Sequence, residues 1–404
     1  MNVTVIGQGY VGLTLAIEAA LAGHEVVGLE IDEKIVINLL KGVTSVPGVN
    51  SKTILDLINK KKYLPTTSTE KIHDSDVLVI AVPTPLNSSR GPELKYLIEA
   101  ATLIAQICKR KALIVNESTS YPGTLRNVIK PTIEAISNVD FMYASAPERI
   151  DPGNQEWNIK NTPRIVGGLT PAAGKVAVSF YESVCSQVKL VSSPEVAEAA
   201  KLFENTFRQI NIALVNEFAI ISSALGFSAN EVINAAATKP FGFMPFFPSI
   251  GVGGHCIPVD PTYLSYAANK VGITASFINL ANSTNLSMVK HVVDKLTTII
   301  NKPISSLRIQ IAGIAYKSGV SDLRESPALD LISELRSRGA EVIWCDPLVR
   351  EWNGEKSKPL DLAIDIGLIV TPHKQIDFSI WEKTELEVFD LSTSSIEFGW
   401  PKLL

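Results

Sequence analysis

A glycine-rich segment around one cysteine is the part of the sequence best suited to covalent chemistry. Gly251, Gly253 and Gly254 precede Cys256, and Asp260 lies four residues beyond the thiol. Glycines lack a Cβ atom and let the backbone approach a ligand closely, and an ionised thiol is a strong nucleophile. The isolated cysteine favours the alternative of a buried structural residue, because thiols pack like small apolar groups. The glycines and polar neighbours shift the prediction to a nucleophile.

A second chemical pattern lies near the N-terminus, where a strand-like run leads into Gly7, Gln8, Gly9, Tyr10, Val11 and Gly12. Between a strand and a helix, the three glycines permit a tight turn, close approach of a pyrophosphate and close helix packing. The phosphates then lie on the helix N-terminal amides. Glu30, eighteen residues past Gly12, is suited to bind a ribose diol and repel a 2′-phosphate, so NAD is favoured over NADP. Asp32 could contact the ribose or cap the next helix, and the capping role is favoured.

Short β-branched runs alternate with helical patterns through the first third of the chain. This alternation predicts a parallel, doubly wound sheet. The predicted helix covers 9–22, and the predicted strands are 2–6, 25–30, 76–82, 112–116, 140–145, 163–167 and 188–191.

A long helix is predicted from Glu195 onward, followed by a stop at Gly226 and a new N-cap. Its apolar stripe, which must be buried against something, consists of Phe203, Phe207, Ile210, Leu214, Phe218 and Ile221. Further strands at 308–315, 341–345, 366–370 and 387–391, with a helix at 328–338, predict a second α/β domain. We therefore predict an α/β protein with two Rossmann-like doubly wound domains (1–193 and 303–404) joined by a central helical domain (194–302).

The bulk composition limits the classes of partner. The chain has 404 residues, a formal net charge of −4 and four cysteines without paired spacing. This charge provides no basic field for nucleic acid, and the cysteine spacing indicates neither a disulfide framework nor a metal site. The chain begins directly in a strand pattern and contains no apolar run of membrane-spanning length. We expect a cytoplasmic protein without nucleic-acid or membrane partners.

Ordered motifs through essentially the whole chain resemble those of the nucleotide-sugar 6-dehydrogenases, a family that includes UDP-glucose, GDP-mannose and UDP-N-acetylhexosamine dehydrogenases. The motifs are the glycine turn with Leu13, Val82-Pro83-Thr84-Pro85, Glu117-Ser118-Thr119 with Pro122-Gly123-Thr124, Ala146-Pro147-Glu148-Arg149, Lys201-Leu202-Phe203-Glu204-Asn205, Gly253-Gly254-His255-Cys256, Gly313-Ile314-Ala315-Tyr316-Lys317 and Arg324-Glu325-Ser326-Pro327.

The resemblance implies a four-electron oxidation of a sugar 6-hydroxyl to a carboxylate, with two NAD molecules consumed in turn. Cys256 would hold the aldehyde as a thiohemiacetal, whose oxidation gives a thioester that water hydrolyses. Lys201 and Asn205, four residues apart on one helix face, would stabilise the alkoxide or oxyanion or orient a water. Asp260 is a general-base candidate beside the thiol.

The resemblance also assigns residues to hydrolysis and binding. Glu148 would orient or deprotonate the attacking water, and Thr119 would lie near the nicotinamide and that water. Thr84 would contact the cofactor. The predicted substrate-binding set is Glu148, Arg149, Lys201, Asn205, Arg208, Gly253, Lys317 and Arg324. Each retains an ordinary structural alternative, such as a salt bridge, a loop cap or a solvated surface position.

The sugar is suggested by the residues around the thiol. His255, Pro258 and Val259 look like the UDP-N-acetylhexosamine enzymes, so UDP-N-acetylmannosamine or UDP-N-acetylglucosamine is favoured, with the epimer open. One departure is Pro248-Ser249-Ile250-Gly251, where this subgroup usually has Pro-Gly-Pro-Gly. The alternatives are a UDP-glucose dehydrogenase, a one-hydride hydroxyacid-type dehydrogenase or a non-enzymatic NAD-sensing protein. The resemblance to this family and the apolar stripe on the long helix predict a homodimer.

Overall fold

The β-branched runs of the N-terminal part form one eight-stranded sheet in a computed structural model, which describes residues 1–44, 46–150, 154, 156–254, 256–300, 302–393 and 399–404. The strands are β1 (Asn2–Ile6), β2 (Glu25–Leu29), β3 (Tyr63–Thr66), β4 (Val77–Ile80), β5 (Leu113–Asn116), β6 (Met142–Ser145), β7 (Arg164–Gly168) and β8 (Val188–Val191). Their order is β3-β2-β1-β4-β5-β6-β7-β8, with every pair parallel except β6 with β7. The predicted parallel sheet is confirmed, with one antiparallel pair that periodicity does not reveal.

Helices cover both faces of this sheet. They are α1 (Tyr10–Leu21), α2 (Glu33–Leu40), α3 (Ser51–Asn59), α4 (Lys95–Ile107), α5 (Lys130–Glu134) and α6 (Pro171–Glu182), with a 3₁₀ turn at Thr69–Ile72 and a π-helical turn at Leu125–Ile129. Adjacent residues of one strand enter different cores: Val79 packs with α1 and α6, and Ile80 packs with α4. This alternation of side chains makes the sheet doubly wound.

The chain divides into two compact units. The N-terminal unit is Met1–Glu204 with Thr262–Ile273, and the C-terminal unit is Asn205–Pro261 with Thr274–Leu404. The three predicted domain boundaries stay a prediction.

Four helices follow the large sheet: α7 (Pro194–Leu225), α8 (Ala229–Ala237), α9 (Asp260–Lys270) and α10 (Ser276–Ile299). The predicted stop is confirmed, because α7 ends before Gly226, which has a φ of 83°. The predicted new N-cap is Ser228, whose side chain accepts a hydrogen bond from the Glu231 amide. No helix within the described part of the chain is long and apolar enough to cross a membrane.

The apolar stripe of α7 is largely exposed in a single chain. Phe203 is 67% exposed and Leu214 is 60% exposed. The buried positions on α7 include polar residues instead, among them Asn205, Gln209 and Asn216. A helix that buries amides and exposes phenylalanine requires partners for both faces.

The second α/β region is a four-stranded parallel sheet in the order β10-β9-β13-β14. The elements are a 3₁₀ turn (Ile304–Ser306), β9 (Arg308–Ala312), α11 (Pro327–Ser337), β10 (Glu341–Cys345), a two-stranded hairpin of β11 (Glu351–Trp352) and β12 (Glu355–Lys356), β13 (Ile366–Ile369), α12 (Ser379–Glu382) and β14 (Glu387–Asp390). Ile311 and Trp344 pack with α10 and α11 on one face, and Trp381 of α12 packs on the other. The predicted second Rossmann-like region is confirmed.

Candidate active site

The predicted residues of the N-terminal unit follow strands that end at one level of the sheet. Ile6 is paired with Ile80, Ile80 with Asn116, and Asn116 with Ser145. The glycine turn, Thr84, Thr119 and Glu148 come directly after these four strands. They therefore lie at the carboxyl edge of a parallel sheet, which is where open α/β folds bind ligands.

The three glycines of the turn have different surroundings. Gly7 has a φ of 93°, which favours glycine, and a Cβ on Gly12 would stand 1.9 Å from the Gly7 carbonyl oxygen. A Cβ on Gly9, the residue that caps α1, would meet nothing within 4 Å. The turn and the helix contact thus require Gly7 and Gly12, while Gly9 leaves open space at the helix N-terminus. This cradle fits a dinucleotide pyrophosphate.

The acidic residue after β2 is tied to the same turn. One Glu30 carboxylate oxygen accepts a hydrogen bond from the Gln8 amide at 2.8 Å, and the other accepts from the amides of Ile31 and Asp32. Asp32 caps α2 by accepting from the Lys34 amide, which confirms the expected capping geometry.

The three members of the turn that are not glycine are less open than Gly9. The Gln8 side chain is buried, accepting from the Tyr63 hydroxyl and donating to the carbonyls of Val5 and Gly7. Tyr10 and Val11 are half-buried and pack against the core. Any contact of Gln8 with a cofactor therefore comes from its backbone.

Two loops after the central strands are braced by hydrogen bonds. The Tyr263 hydroxyl donates to the carbonyl of Thr84 at 3.0 Å. In the neighbouring loop, the Ser118 hydroxyl donates to the Val82 carbonyl at 2.8 Å, and Asn116 donates to the Ser118 carbonyl. These bonds fix the loop in which Thr119 lies half-buried.

Glu148 belongs to a buried charge cluster that the sequence did not reveal. Arg164, the first residue of β7, donates to one Glu148 oxygen at 2.5 Å and lies 3.4 Å from Glu117. The Tyr181 hydroxyl donates to Glu117 at 2.5 Å. Burial raises the pKa of the Glu117 carboxyl to about 7, against the opposing attraction of Arg164.

Two further glutamates anchor residues near the predicted site. The Arg149 guanidinium forms a two-pronged ion pair with Glu204 and donates to the Pro163 carbonyl. Glu198, three residues before Lys201 on α7, accepts from the amides of Gly123 and Leu125 and from the Ser145 hydroxyl. Burial raises the pKa of Glu198 to about 7 although these donors oppose the shift. Lys201 itself is buried.

In the C-terminal unit, Cys256 is exposed, whereas the other three cysteines of the chain are buried. Burial raises the pKa of Cys108 and Cys185, and it raises the pKa of Cys345 to about 11. These three thiols stay protonated and inaccessible at neutral pH, which makes Cys256 the accessible thiol of the chain.

The thiol lies one helical turn before a buried carboxylate. The Cys256 carbonyl accepts from the Asp260 amide at 2.8 Å, where α9 begins. Asn205 donates from its side-chain amide to an Asp260 carboxylate oxygen at 2.5 Å, and both side chains are buried. The structure thus brings together Asn205 and Asp260, two predicted catalytic residues that are distant in sequence.

A buried ladder of side-chain amides holds the start of the thiol loop. Gln209 donates to Asn282, and Asn216 donates to Asn285 at 2.9 Å. The Asn216 side-chain oxygen accepts from the Ser249 amide at 2.8 Å. The loop is therefore anchored to α7 at both ends, by Asn216 at Ser249 and by Asn205 at Asp260.

Ser249 and Ile250, which replace the usual Gly-Pro of the Pro-Gly-Pro-Gly sequence, both have structural roles in this loop. Ile250 is buried in the core formed by α10 and α11, and the Ser249 hydroxyl donates to the Gly251 carbonyl. The two substituted residues therefore stabilise the loop by burial and by a local hydrogen bond.

The glycines before Cys256 pack against the loop after β9. A Cβ on Gly253 would lie 2.8 Å from the Tyr316 side chain, and the Gly254 amide donates to the Arg324 carbonyl at 3.0 Å. Lys317 is half-buried beside Tyr316, and the exposed Arg324 side chain pairs with Asp322. This close backbone approach explains why the segment is rich in glycine.

A buried histidine supports the same loop. The His373 Nδ1 accepts from the Gly319 amide at 3.1 Å, so its Nε2 carries the proton and donates to Asp346. The same Asp346 oxygen accepts from the amides of Ile314 and Ala315. The His373–Asp346 pair thus fixes the backbone on both sides of Lys317.

The remaining predicted positions are less informative. Arg208 is exposed on α7. His255, which suggested the acetamido sugar, lies outside the described residues. Within the described ranges, no three His, Cys, Asp or Glu side chains are grouped to hold a metal ion.

Family models match three successive segments of the chain. The NAD binding domain of the UDP-glucose/GDP-mannose dehydrogenase family matches residues 1–185, its central domain matches 195–287, and its UDP binding domain matches 310–390. The chain belongs to the UDP-glucose/GDP-mannose dehydrogenase family. It is an NAD-dependent nucleotide-sugar dehydrogenase, and NAD is the cofactor that fits the open glycine turn.

Relatives of this dehydrogenase cover most of its length. A UDP-N-acetyl-D-glucosamine 6-dehydrogenase of Pseudomonas aeruginosa is 34% identical over 357 residues, which are 86% of this chain and 83% of that protein. A UDP-N-acetyl-D-mannosamine dehydrogenase of Pyrococcus horikoshii is 34% identical over 392 residues, 95% and 92% of the two chains. The solved structure of a UDP-D-ManNAc dehydrogenase from Pyrococcus horikoshii superposes with a TM-score of 0.88 at 30% identity, covering 100% of this chain and 99% of that one.

Several residues that shape the site of this dehydrogenase were missed in the sequence. Glu117 lies two residues before Thr119, in a motif from which only the threonine was assigned to the site, and Arg164 is a charged residue at the start of an apolar strand. A charged side chain next to a buried apolar strand requires a buried partner, so these two charged positions were the signal in the sequence. For Asn216, the signal was its helical spacing from Asn205 and other amides along α7.

Proposed function

We propose that this dehydrogenase oxidises the 6-hydroxyl of a UDP-N-acetylhexosamine to a carboxylate through a covalent adduct on Cys256. The observation that carries the proposal is the exposed Cys256 thiol, one helical turn from the buried Asn205–Asp260 pair. The two relatives described above act on UDP-N-acetylglucosamine and UDP-N-acetylmannosamine according to their names, which supports an acetamido sugar.

The overall reaction converts the primary alcohol, two NAD and one water into the carboxylate, two NADH and three protons. NAD supplies the chemistry of hydride acceptance when it is bound, once for each oxidation. The first oxidation yields an aldehyde at C6, and the Cys256 sulfur forms a bond to that carbon to give a thiohemiacetal. The second oxidation yields a thioester. Water then attacks the thioester carbon, the carbon–sulfur bond breaks, and the thiol is regenerated with release of the acid.

Each catalytic role follows from the charge that develops at C6. Lys201 and Asn205 stabilise the oxyanion that forms when the thiolate or water adds to the carbonyl. Asp260 acts as a general base near the thiol. Glu148 orients or deprotonates the water of the hydrolytic step, and Thr119 assists near the nicotinamide.

The cofactor and substrate sets follow the same proposal. The pyrophosphate lies on the glycine turn, and Glu30 accepts hydrogen bonds from the adenosine ribose. The proposed cofactor set is Gly7, Gln8, Gly9, Tyr10, Val11, Gly12, Glu30, Thr84 and Thr119. The proposed substrate set is Glu148, Arg149, Lys201, Asn205, Arg208, Gly253, Lys317 and Arg324, with the two cationic residues of the UDP binding domain on diphosphate or sugar oxygens.

A homodimer is part of the proposal. The exposed stripe of α7 includes Phe203, Phe207 and Leu214, and a second copy would bury it. Light scattering at working concentration is expected to give twice the chain mass, and Leu214→Glu should reduce it. A wild-type monomer under active conditions would contradict the dimer. The cytoplasmic location and the lack of nucleic-acid and membrane partners stay predictions.

The test measures NADH formed from UDP-N-acetylglucosamine, UDP-N-acetylmannosamine, UDP-glucose and GDP-mannose. We expect two NADH per acetamido sugar consumed, with much lower rates for the last two. Cys256→Ser should lose turnover and trap or release the aldehyde. One NADH per sugar, or full activity of Cys256→Ser, would refute the mechanism, and a preference for UDP-glucose would refute the substrate.

A further inference from the structure

One cation, Arg164, lies between two buried carboxylates in the N-terminal unit. Arg164 is 3% exposed, and its guanidinium reaches Glu148, Glu117 and the Ala146 carbonyl. Only one of the two glutamates, Glu148, belongs to the proposed catalytic set.

The Glu148 carboxylate is held by donors on both oxygens. One oxygen accepts from the backbone amides of Arg149 at 2.5 Å and Ile150 at 2.7 Å. The other accepts from the Arg164 guanidinium at 2.5 Å. These contacts fix the plane of the carboxylate, and the oxygen that accepts from Arg164 retains a lone pair that can accept from a water. A base that acts on water must be oriented in this way before the water arrives.

The arginine is itself held from behind. Its guanidinium lies over the Tyr181 ring at 5.1 Å, and the Tyr181 hydroxyl donates to Glu117. The second Glu117 oxygen has no hydrogen-bond partner among the described residues. Glu117 and the Tyr181 ring therefore hold the arginine fork in place on the side away from Glu148.

We propose that Arg164 is a positioning residue for the hydrolytic half of the reaction, acting by fixing the Glu148 carboxylate that handles the attacking water. The inference rests on the proposed function, because only there does Glu148 serve thioester hydrolysis. The guanidinium fork is essential to it, since a single ammonium group cannot reach Glu148, Glu117 and the Ala146 carbonyl together.

The test is Arg164→Lys, which retains the charge and removes the fork. With sugar and NAD in excess, we expect a burst of two NADH per chain, followed by a steady rate about 10- to 100-fold lower than that of the wild type. General base catalysis contributes about 10²- to 10⁴-fold to a rate, and loss of the positioning arginine should remove part of that factor. Mass spectrometry after an acid quench should find the acyl group on the Cys256 peptide. The NAD dissociation constant and kcat/KM for sugar should remain unchanged, because both depend on steps before hydrolysis, whereas a general loss of structure would change them.

Glu117→Gln is the matched control, because glutamine removes the acidic group but retains a side-chain oxygen that can accept from the Tyr181 hydroxyl and from Arg164, so the Glu148–Arg164 pair should stay in place. It should show no burst and no acyl adduct. Adding Arg164→Lys to Glu148→Gln should slow hydrolysis no further than Glu148→Gln alone, because both changes act through one carboxylate. If Arg164→Lys does not fold, the double variant Glu117→Gln/Arg164→Gln removes one charge of each sign and is expected to show the same burst.

The outcomes separate the two proposals. A wild-type yield of one NADH per sugar would remove the thioester mechanism and this inference with it. A wild-type yield of two NADH, together with wild-type kcat and no acyl adduct in the arginine variants, would overturn the inference alone.

Discussion

Replacing Gly9 or Gly12 by alanine should separate cofactor binding from folding. A Cβ on Gly12 would stand 1.9 Å from the Gly7 carbonyl oxygen and 3.2 Å from the Ala81 Cβ, so the turn or α1 must shift. A Cβ on Gly9 would meet nothing within 4 Å. The two substitutions add the same methyl group three residues apart, with opposite steric consequences.

The magnitudes follow from these contacts. Overpacking at Gly12 costs about 1–3 kcal/mol, and the gain of alanine over glycine in a helix offsets about 1 kcal/mol of that. Because the closest atom is a backbone oxygen at 1.9 Å, the overpacking cost should lie in the upper part of this range, and Gly12→Ala should lose about 1–2 kcal/mol of stability. Gly9 has an extended backbone at φ −78° and ψ −159°, so alanine there should change stability by less than about 1 kcal/mol. The new methyl group would occupy the space of the pyrophosphate, and NAD affinity should fall at least tenfold, which is about 1.4 kcal/mol.

Urea unfolding without NAD measures the stability term, and calorimetric titration with NAD measures binding. We expect Gly9→Ala to unfold like the wild type and bind NAD weakly. Gly12→Ala should unfold at lower urea. Wild-type NAD affinity in Gly9→Ala, or wild-type stability in Gly12→Ala, would show that the turn does not act as described.

Three further predictions concern the thiol, the amide ladder and a buried acid. Iodoacetamide should modify one thiol per native chain and none in Cys256→Ser, and labelling of a second thiol would contradict the burial of the other three. Asn216→Ala removes the partner of the Ser249 amide and should lower the free energy of unfolding in urea by about 1–3 kcal/mol. The control Asn211→Ala, on the same helix, should change this free energy by less than about 0.5 kcal/mol. Equal effects of the two variants would refute the role of the amide ladder. Glu198 has a folded pKa of about 7, above its ordinary 4.5, so its contribution to stability is complete below pH 4.5 and is lost as pH rises through 7. Glu198→Gln should flatten this fall in the urea midpoint, and an unchanged slope would contradict the assignment.

Much of the fold could be predicted because local patterns are repeated along the chain. The strands β1, β5, β10 and β13 were predicted to within one residue at each end, since β-branched runs and flanking turns are local signals. The antiparallel β6–β7 pair was not predicted. Strand direction depends on which strand lies beside which, and no property of the Arg164–Gly168 run carries that information.

The candidate site was likewise predictable only in part. Glycine spacing, the acid after β2 and the thiol loop are short-range patterns, so the sequence alone indicated an NAD turn, a reactive cysteine and the family resemblance. The tertiary structure decided that Cys256 is exposed while the other thiols are buried, that Asn205 meets Asp260, and that Arg164 joins Glu148 to Glu117. Asn205 and Asp260 are 55 positions apart in the sequence, and Arg164 and Glu117 are 47 positions apart. Burial and charge pairing depend on which distant segments pack together, and this packing is established only when the hydrophobic cores form.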